Sequence, residues 1–412
     1  MIGRFVLAFL FILVLAWDSS AKKIDVCVDC QFKSISEAIR SANSHDEISV
    51  HDGVYAESNI TIDKPLVIRA VGHAVVDGSK SGHILVIAAD SVKISGLHLE
   101  NVGVSYTKDY AAIYAHKISN FVIENCSIEK AFFGMLIEKC SSGKIRGNKV
   151  SGQGVSEVTS GNGIHLWHCK NVEIYKNHLF KMRDGIYFEF VSKSNIHANF
   201  SEKNFRYGLH FMFSNEDRYA NNVFQNNGAG VAVMFSKFIE MEDNEFLDNW
   251  GSASYGLLLK EIYDGTIRGN YFHENTIGVN VEGSTRIEYS HNTFHGNGWA
   301  IKIAGACYEN HFAENNFVSN AFDVSYSGKL NDNTFHGNYW DSYSGYDLDK
   351  NGVGDVPHRP VKLFSYVVNR TPESIVLLRS LFVDLVNYSE KVSPVFTPDE
   401  LIDNTPLMKK IL

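Results

Sequence analysis

Among its 412 residues this chain has only six cysteines, too few to define a disulfide scaffold. It has no long basic run, and its formal net charge is -9. A nucleic-acid surface needs clustered lysine and arginine to displace counterions from phosphate, so that class is set aside. Beyond residue 17 no segment approaches the roughly 20 apolar residues of a membrane span. The apolar run from Phe5 to Trp17 follows Arg4 and precedes the small residues Ser19, Ser20 and Ala21. Residues 1 to 21 therefore read as a cleaved secretory signal, with an uncleaved anchor as the alternative.

What the chain does have is a repeat. Glycine or alanine opens a short apolar stretch at Ala112, Gly134, Gly163, Gly185, Gly208, Gly230, Gly256, Gly278 and Ala300, at intervals of 22, 29, 22, 23, 22, 26, 22 and 22 residues. A second marker runs in parallel: Asn148, Asn177, Asn199, Asn222, Asn244, Asn270, Asn292, Asn315 and Asn333, with Cys126 in the same slot one turn earlier. Two markers sharing one period indicate an array of like units. Each unit holds short β-type stretches such as VEIYKN and GIYFEF, leaves no room for a helix and lacks a leucine framework. A right-handed parallel β-helix of roughly 22-residue coils follows, all-β, its asparagines stacking inward as a hydrogen-bonded ladder at a bend. A third column, eight residues before the asparagines, reads Cys140, Cys169, Val191, Ser214, Ser236, Ile262, Ser284 and Cys307. Cys140 and Cys169 fall on adjacent coils, where a disulfide is open to them, but packing as small hydrophobes is the favoured reading.

Strand alternation divides GLHFMF, residues 208 to 213, into Leu209, Phe211 and Phe213 on one face and His210 and Met212 on the other. With the apolar set inward, two outward columns result. One runs Tyr114, Leu136, His165, Tyr187, His210, Ala232, Leu258, Asn280, Lys302, and the other His116, Glu138, Trp167, Glu189, Met212, Met234, Lys260, Glu282, Ala304. His210, Met212 and Met234 are expected to converge, with His165 and Glu189 one or two coils away. Thioether and imidazole suit Cu+; methionines that merely fill a covered patch are the plain alternative.

The ends depart from the repeat, and the expected divisions are residues 22 to 90 (cap and first coils), 91 to 340 (repeats), 341 to 360 (an acidic loop) and 361 to 412 (a helix and tail that dock a partner). Residues 34 to 43 have helical spacing and are expected to cap the first coil. Cys27 and Cys30 before them read as a redox pair, a metal site or a local disulfide. Asp347, Asp349, Asn351 and Asp355 fall at positions 1, 3, 5 and 9 of a calcium loop, with Gly352 at the turn, but His358 stands where the bidentate Glu belongs. A solvated turn is the alternative. Residues 371 to 388 are predicted to form one helix, capped by Thr371, with more apolar surface than one stripe requires, followed by an extended tail.

RYGLHFMFS, NNGAGVAVMFS, SYGLLLKEI, NGWAIKIAGACYEN, NYWDSYSGYDLDKNGVGDVPHRP and TPLMKK closely resemble the NosD family, periplasmic maturation proteins of nitrous oxide reductase, and the similarity runs from about residue 25 to the terminus. The resemblance implies a pectin-lyase-like β-helix that is not an enzyme. It also implies partnership with an ABC transporter whose membrane and ATPase subunits are NosY and NosF, so that the protein is held at the inner membrane, and copper supply to the reductase from a copper-donor protein. It favours the C-terminal helix and tail as the docking element. A carbohydrate-binding β-helix or a polysaccharide lyase or hydrolase is the competing class. Such enzymes need clustered acids, whereas Glu138, Glu189 and Glu282 are spread over several coils.

Overall fold

In the computed structural model, residues 21–105, 107–251, 254–327, 332–392 and 401–411 are described. The expected signal therefore lies almost wholly outside them. The chain winds as a parallel β-helix with three faces. One coil runs through Asn195–His197 on the first face, Phe200–Glu202 on the second and Tyr207–Met212 on the third, and each strand pairs in parallel with its counterpart on the next coil. The first two faces form one 25-stranded sheet because the long strand Val67–Asp77 bends round their shared corner, pairing with both Lys93–Ser95 and His98–Glu100; the third face is a separate 12-stranded sheet.

The glycine marker has a steric cause. A Cβ built on Gly208 would stand 2.8 Å from the Gly230 carbonyl oxygen, and one on Gly278 would stand 2.6 Å from that of Ala300. The third face begins where coils approach too closely for a side chain. Inside, aromatic rings stack from coil to coil: Phe224, Phe246, Phe272, Phe294, Phe317 and Trp340 form one continuous file.

The asparagine ladder is a hydrogen-bonded file. The Oδ1 of each member accepts from the backbone and side-chain amides of the member one coil earlier, from Asn148 through Asn177, Asn199, Asn222, Asn244, Asn270 and Asn292 to Asn315. The next member is Asn338, not Asn333. Asn333 sits five residues earlier on its coil and pairs with Asn310, in the column that also holds Ser194 and Asp217. A second ladder, at the next bend, joins Asn204, Asn227, Asn249, Asn275, Asn297 and Asn320.

The helix α1, Ile35–Ser41, caps the first coil with its Ser34 side chain accepting from the Glu37 amide. Cys27 and Cys30 form a disulfide. Cys140 and Cys169 remain free, buried thiols.

At the other end a further helix, α2, Leu363–Arg370, comes first, and the single helix expected over 371 to 388 is divided into a 3-10 segment, Pro372–Leu377, and α3, Leu381–Val392. Thr371 closes α2 and makes no side-chain cap to the segment that follows. Phe364, Val368 and Val383 pack on Phe322 at the end of the third face, while Leu381, Phe382, Leu385 and Tyr388 stay exposed. The tail expected to be extended and to dock a partner is, over residues 401–411, built into the last coil. The buried Asp403 carboxylate accepts from the Gly337, Asn338 and Thr405 amides, the Asn338 side chain and the Trp340 indole. It satisfies the donors that the end of the ladder would otherwise leave unpaired.

Candidate functional site

The register on the third face is that of the two outward columns. Glu189, Met212, Met234 and Lys260 are successive neighbours, as are His165, Tyr187, His210 and Ala232. Met212 and Met234 thus stand on adjacent coils about 4.8 Å apart along the stack, both half-buried. Beside them Phe190, Phe213 and Phe235 occupy left-handed bends and stack as an exposed file, with ring centroids 5.2 Å apart. A bulky residue in that backbone region costs about 1–2 kcal/mol. The file recurs over three coils next to the thioethers.

His210 is not the surface ligand that alternation suggests. Only 5% of it is exposed, because Tyr187 and Tyr207 pack against its ring, with centroids 5.1 and 4.9 Å away. Its Nδ1 faces Arg206 Nη2 at 3.4 Å and Asp184 Oδ2 at 3.9 Å. Asp184 is fully buried and holds Arg206 in a two-pronged ion pair. Burial raises the Asp184 pKa, but the bonds from Arg206 and His210 outweigh it, and the net shift is downward. The carboxylate stays ionised and anchors the imidazole. Among the described residues His210 Nε2 finds no hydrogen-bond partner.

His165 does not converge with His210. The Tyr187 ring lies between them, edge-on to both, which leaves the two imidazoles two coils apart. Burial, with Arg183 adding to it, pulls the His165 pKa down to about 4, so this imidazole is neutral. Glu189 adjoins Met212 in register and accepts a long bond from Tyr187 Oη, 3.5 Å.

The members that sequence reasoning missed are Asp184, Arg206 and Tyr207. Asp184 and Tyr207 are register partners in a third outward column, one residue before each marker glycine. That column was there to be read once the glycines were aligned.

Met212 and Met234 on adjacent coils, with His210 in the neighbouring outward column, are the residues that would hold Cu+ as a bound cargo, a soft ion suited to thioether and imidazole. His210 Nδ1 faces the donor-only Arg206 guanidinium and the Asp184 carboxylate; for Nε2 to hold an ion the ring proton would have to move to Nδ1, with Asp184 as its acceptor.

In the acidic loop Asp347 and Asp349 meet at the Asn351 amide, while Asp355 turns to the Leu348 amide. Asp347 accepts from the Asn351 and Gly352 amides, Asp349 from Asn351, and Asp355 from Leu348. The Gly352 amide is the chief cause that lowers the Asp347 pKa. The carboxylates serve the turn's own backbone. Among the described residues no three His, Cys, Asp or Glu side chains converge as a metal cluster.

A family described as "Periplasmic copper-binding protein (NosD)" matches residues 146–345, the span that holds the thioether pair and both ladders. The chain is NosD-like. Two relatives named "Probable ABC transporter binding protein NosD" extend the likeness. That of Pseudomonas aeruginosa is 29% identical over 380 residues, 88% of each chain. That of Stutzerimonas stutzeri is 27% identical over 373 residues, 86% of this chain and 85% of its own. Among solved structures, an exopolygalacturonase of Yersinia enterocolitica superposes with a TM-score of 0.60 at 9% identity, over 76% of this chain and 78% of that one. The Dettilon tailspike protein gives 0.55 at 12% identity, over 72% and 64%. At such identities these two structures establish the β-helix alone for this NosD-like chain.

Proposed function

We propose that this chain is a periplasmic accessory protein that binds Cu+ at Met212, Met234 and His210 and handles it for assembly of the copper centre of nitrous oxide reductase, working beside an ABC transporter. The observation that carries the reading is the in-register thioether pair next to an imidazole whose Nε2 is buried and, among the described residues, unpartnered. The description of the matching family supports the metal, and the names of the two relatives support the transporter. Soft sulfur and nitrogen donors favour Cu+ over hard cations. In this reading Glu189 and His165 flank the site without holding the ion. The exposed face of α3, with Leu381, Phe382, Leu385 and Tyr388, is the surface offered to the transporter's membrane subunit.

The carbohydrate alternative draws no support from the outward carboxylates. Glu138 is occupied by Tyr114 and His116, and Glu282 by Asn280, on separate coils.

The decisive experiment is an anaerobic Cu+ titration against a competing chelator, run on the wild-type chain and on Met212→Leu/Met234→Leu. The leucines keep volume and apolar character and remove both sulfurs. Folding is expected to be unchanged and Cu+ affinity to fall at least about tenfold per thioether removed, with the reductase of such cells lacking copper. Undiminished binding in the double variant would refute the site.

A further inference from the structure

The column of small residues at the end of the third face holds a pair that the thioether site does not use. Cys140 and Cys169 follow the in-register partners Glu138 and Trp167 by two residues and precede the bridge of Ser141 with Lys170, so they face each other on adjacent coils. Their Cα atoms are thus about one strand spacing, 4.8 Å, apart. Elsewhere this slot has a regular geometry. Ser214, Ser236 and Ser284 each turn the side chain towards the earlier coil and accept from the amide of its slot residue, Val191, Ser214 and Ile262 in turn. Cys169 leans the same way. Its Sγ donates to the Ile137 carbonyl oxygen at 3.3 Å, while Cys140 Sγ donates to the neighbouring Glu138 carbonyl oxygen at 3.1 Å. Both sulfurs therefore lie against the end of the same strand.

Cysteines placed this way are suited to a disulfide, which spans Cα atoms roughly 4.4–6.8 Å apart. Further observations separate this pair from small residues that merely pack. The Cys169 thiol donates towards the Cys140 sulfur, and that contact holds the Cys140 thiol below its ordinary pKa while pushing Cys169 up. Cys140 is thus the member that more readily supplies the attacking thiolate. Cys126 and Cys307, by contrast, are pushed up by burial, and their neighbours on adjacent coils include Asn148 and Ser284, with which no such bond can form. The coil between Cys140 and Cys169 is also the longest of the repeat, 29 residues from Gly134 to Gly163. Its extra length is an excursion round the 3-10 turn Glu157–Thr159, where Val155 and Val158 are exposed. Such a coil has the most chain entropy to lose on winding and gains the most from a cross-link.

We propose that Cys140 and Cys169 are a site of oxidation to a disulfide that staples the longest coil to its neighbour. The free thiols of the structure are its reduced form. The oxidant is itself a disulfide, of low molecular weight or carried by an exported oxidoreductase. The Cys140 thiolate attacks one of its sulfurs, the S–S bond breaks, and the second sulfur leaves as a thiolate that takes up the proton Cys140 released. Cys169 then loses its proton, and its thiolate attacks the Cys140 sulfur of the mixed disulfide. The bond between Cys140 and Cys169 closes and the remaining sulfur is expelled as a thiol, so two electrons and two protons have passed to the oxidant. Both sulfurs are buried in the finished stack, which places the exchange at the stage when these coils are winding. The supply of such an oxidant rests on the periplasmic reading; the chemistry of the test does not.

Untagged mature protein is unfolded with reductant, refolded in a mixture of reduced and oxidised glutathione, and unfolded again in excess N-ethylmaleimide. Mass spectrometry of its peptides is expected to find Cys126 and Cys307 alkylated and Cys140 joined to Cys169. Cys140→Ser/Cys169→Ser places serine where Ser214 and Ser236 stand in the same column, so folding is kept. The oxidised wild type is expected to melt above the protein kept reduced, and that difference to exceed the one in the double variant by about 2 °C or more. The variant retains Cys27 and Cys30, so their bond contributes equally to both differences. Alkylation of both Cys140 and Cys169, glutathione left on either, or a bond from either to Cys126 or Cys307 overturns the proposal. An equal melting difference in the two proteins overturns it as well, since a staple must hold the coil. None of these results bears on Cu+ binding by the thioethers, so failure here is distinct from failure of the proposed function.

Discussion

Replacing Asp403 by alanine removes one carboxylate and leaves the Asn338 amide and side chain and the Trp340 indole without their acceptor. Each buried donor left unpaired costs about 1–3 kcal/mol. The variant is expected to lose about 3 kcal/mol or more, with amide exchange opening first over residues 333 to 340. Asp217 gives a prediction of opposite sign. It is buried at the slot that Asn310 and Asn333 fill on later coils, accepts from the Ser194 amide, and has the buried Tyr219 hydroxyl as its other polar neighbour. Desolvation pushes its pKa up to about 7. A carboxyl whose folded pKa exceeds its unfolded one, about 3.9, binds its proton more tightly in the native state. Its effect is therefore a loss of stability as pH rises from about 4 to about 7, up to about 4 kcal/mol. Asp217→Asn keeps the accepting oxygen and cannot ionise. Melting curves at pH 4.5 and pH 8 should coincide with the wild type at the lower value and lie above it at the higher. His210 shows why residue-level reading of the site was incomplete. Alternation correctly turned it away from the core, but whether an outward side chain meets water depends on its column neighbours, and here Tyr187 and Tyr207 enclose it.

At the scale of the element, the asparagine ladders carry the largest concentration of buried polar bonds. Asn222 accepts from both amides of Asn199 and donates to the Ile196 carbonyl and to Asn244. Asn222→Ala is expected to cost about 2–4 kcal/mol by leaving those partners unpaired, measurable as a lower melting temperature with the coils on either side exchanging together. The first ladder was legible because one marker recurred at the coil period. The second was equally present, five residues after the first from Asn199/Asn204 to Asn315/Asn320, and escaped because only one asparagine per unit was followed. At the last coil the same spacing misleads: Asn333 and Asn338 repeat it, but Asn338 is the last rung of the first ladder and Asn333 belongs to the column of Asn310. In the C-terminal region apolar content located the helices but not their break: Phe364 and Val383 must both reach Phe322, and one straight rod cannot bring them there. In the acidic loop the residue types suit calcium but the bonds do not. With Asp347, Asp349 and Asp355 each held by turn amides, added calcium is expected to leave the melting temperature unchanged, and a clear rise would show that the loop reorganises to bind it.

For the molecule as a whole, residues 401–411 and α3 serve different ends. Cutting the chain after residue 392 removes Asp403 along with Leu401, which is fully buried, so the truncated protein is expected to fray at its last coils and not simply to lose a partner. A cleaner test of docking is Leu381→Ser/Leu385→Ser/Tyr388→Ser. These side chains are exposed, so stability should be kept while co-purification with the transporter is lost; retained association would remove α3 from the interface. The seal at Asp403 has a further consequence, for timing. Coil pairs form between segments about 22 residues apart and can wind in sequence from one end of the stack to the other. The contact of Asp403 with Asn338 spans 65 residues, so it closes only after the coils before it have wound. Until then, every partly wound molecule has an open end that invites pairing with its neighbour. Residues 401–411 therefore act as a completion latch, and a chain cut after residue 400 should stick to others of its kind.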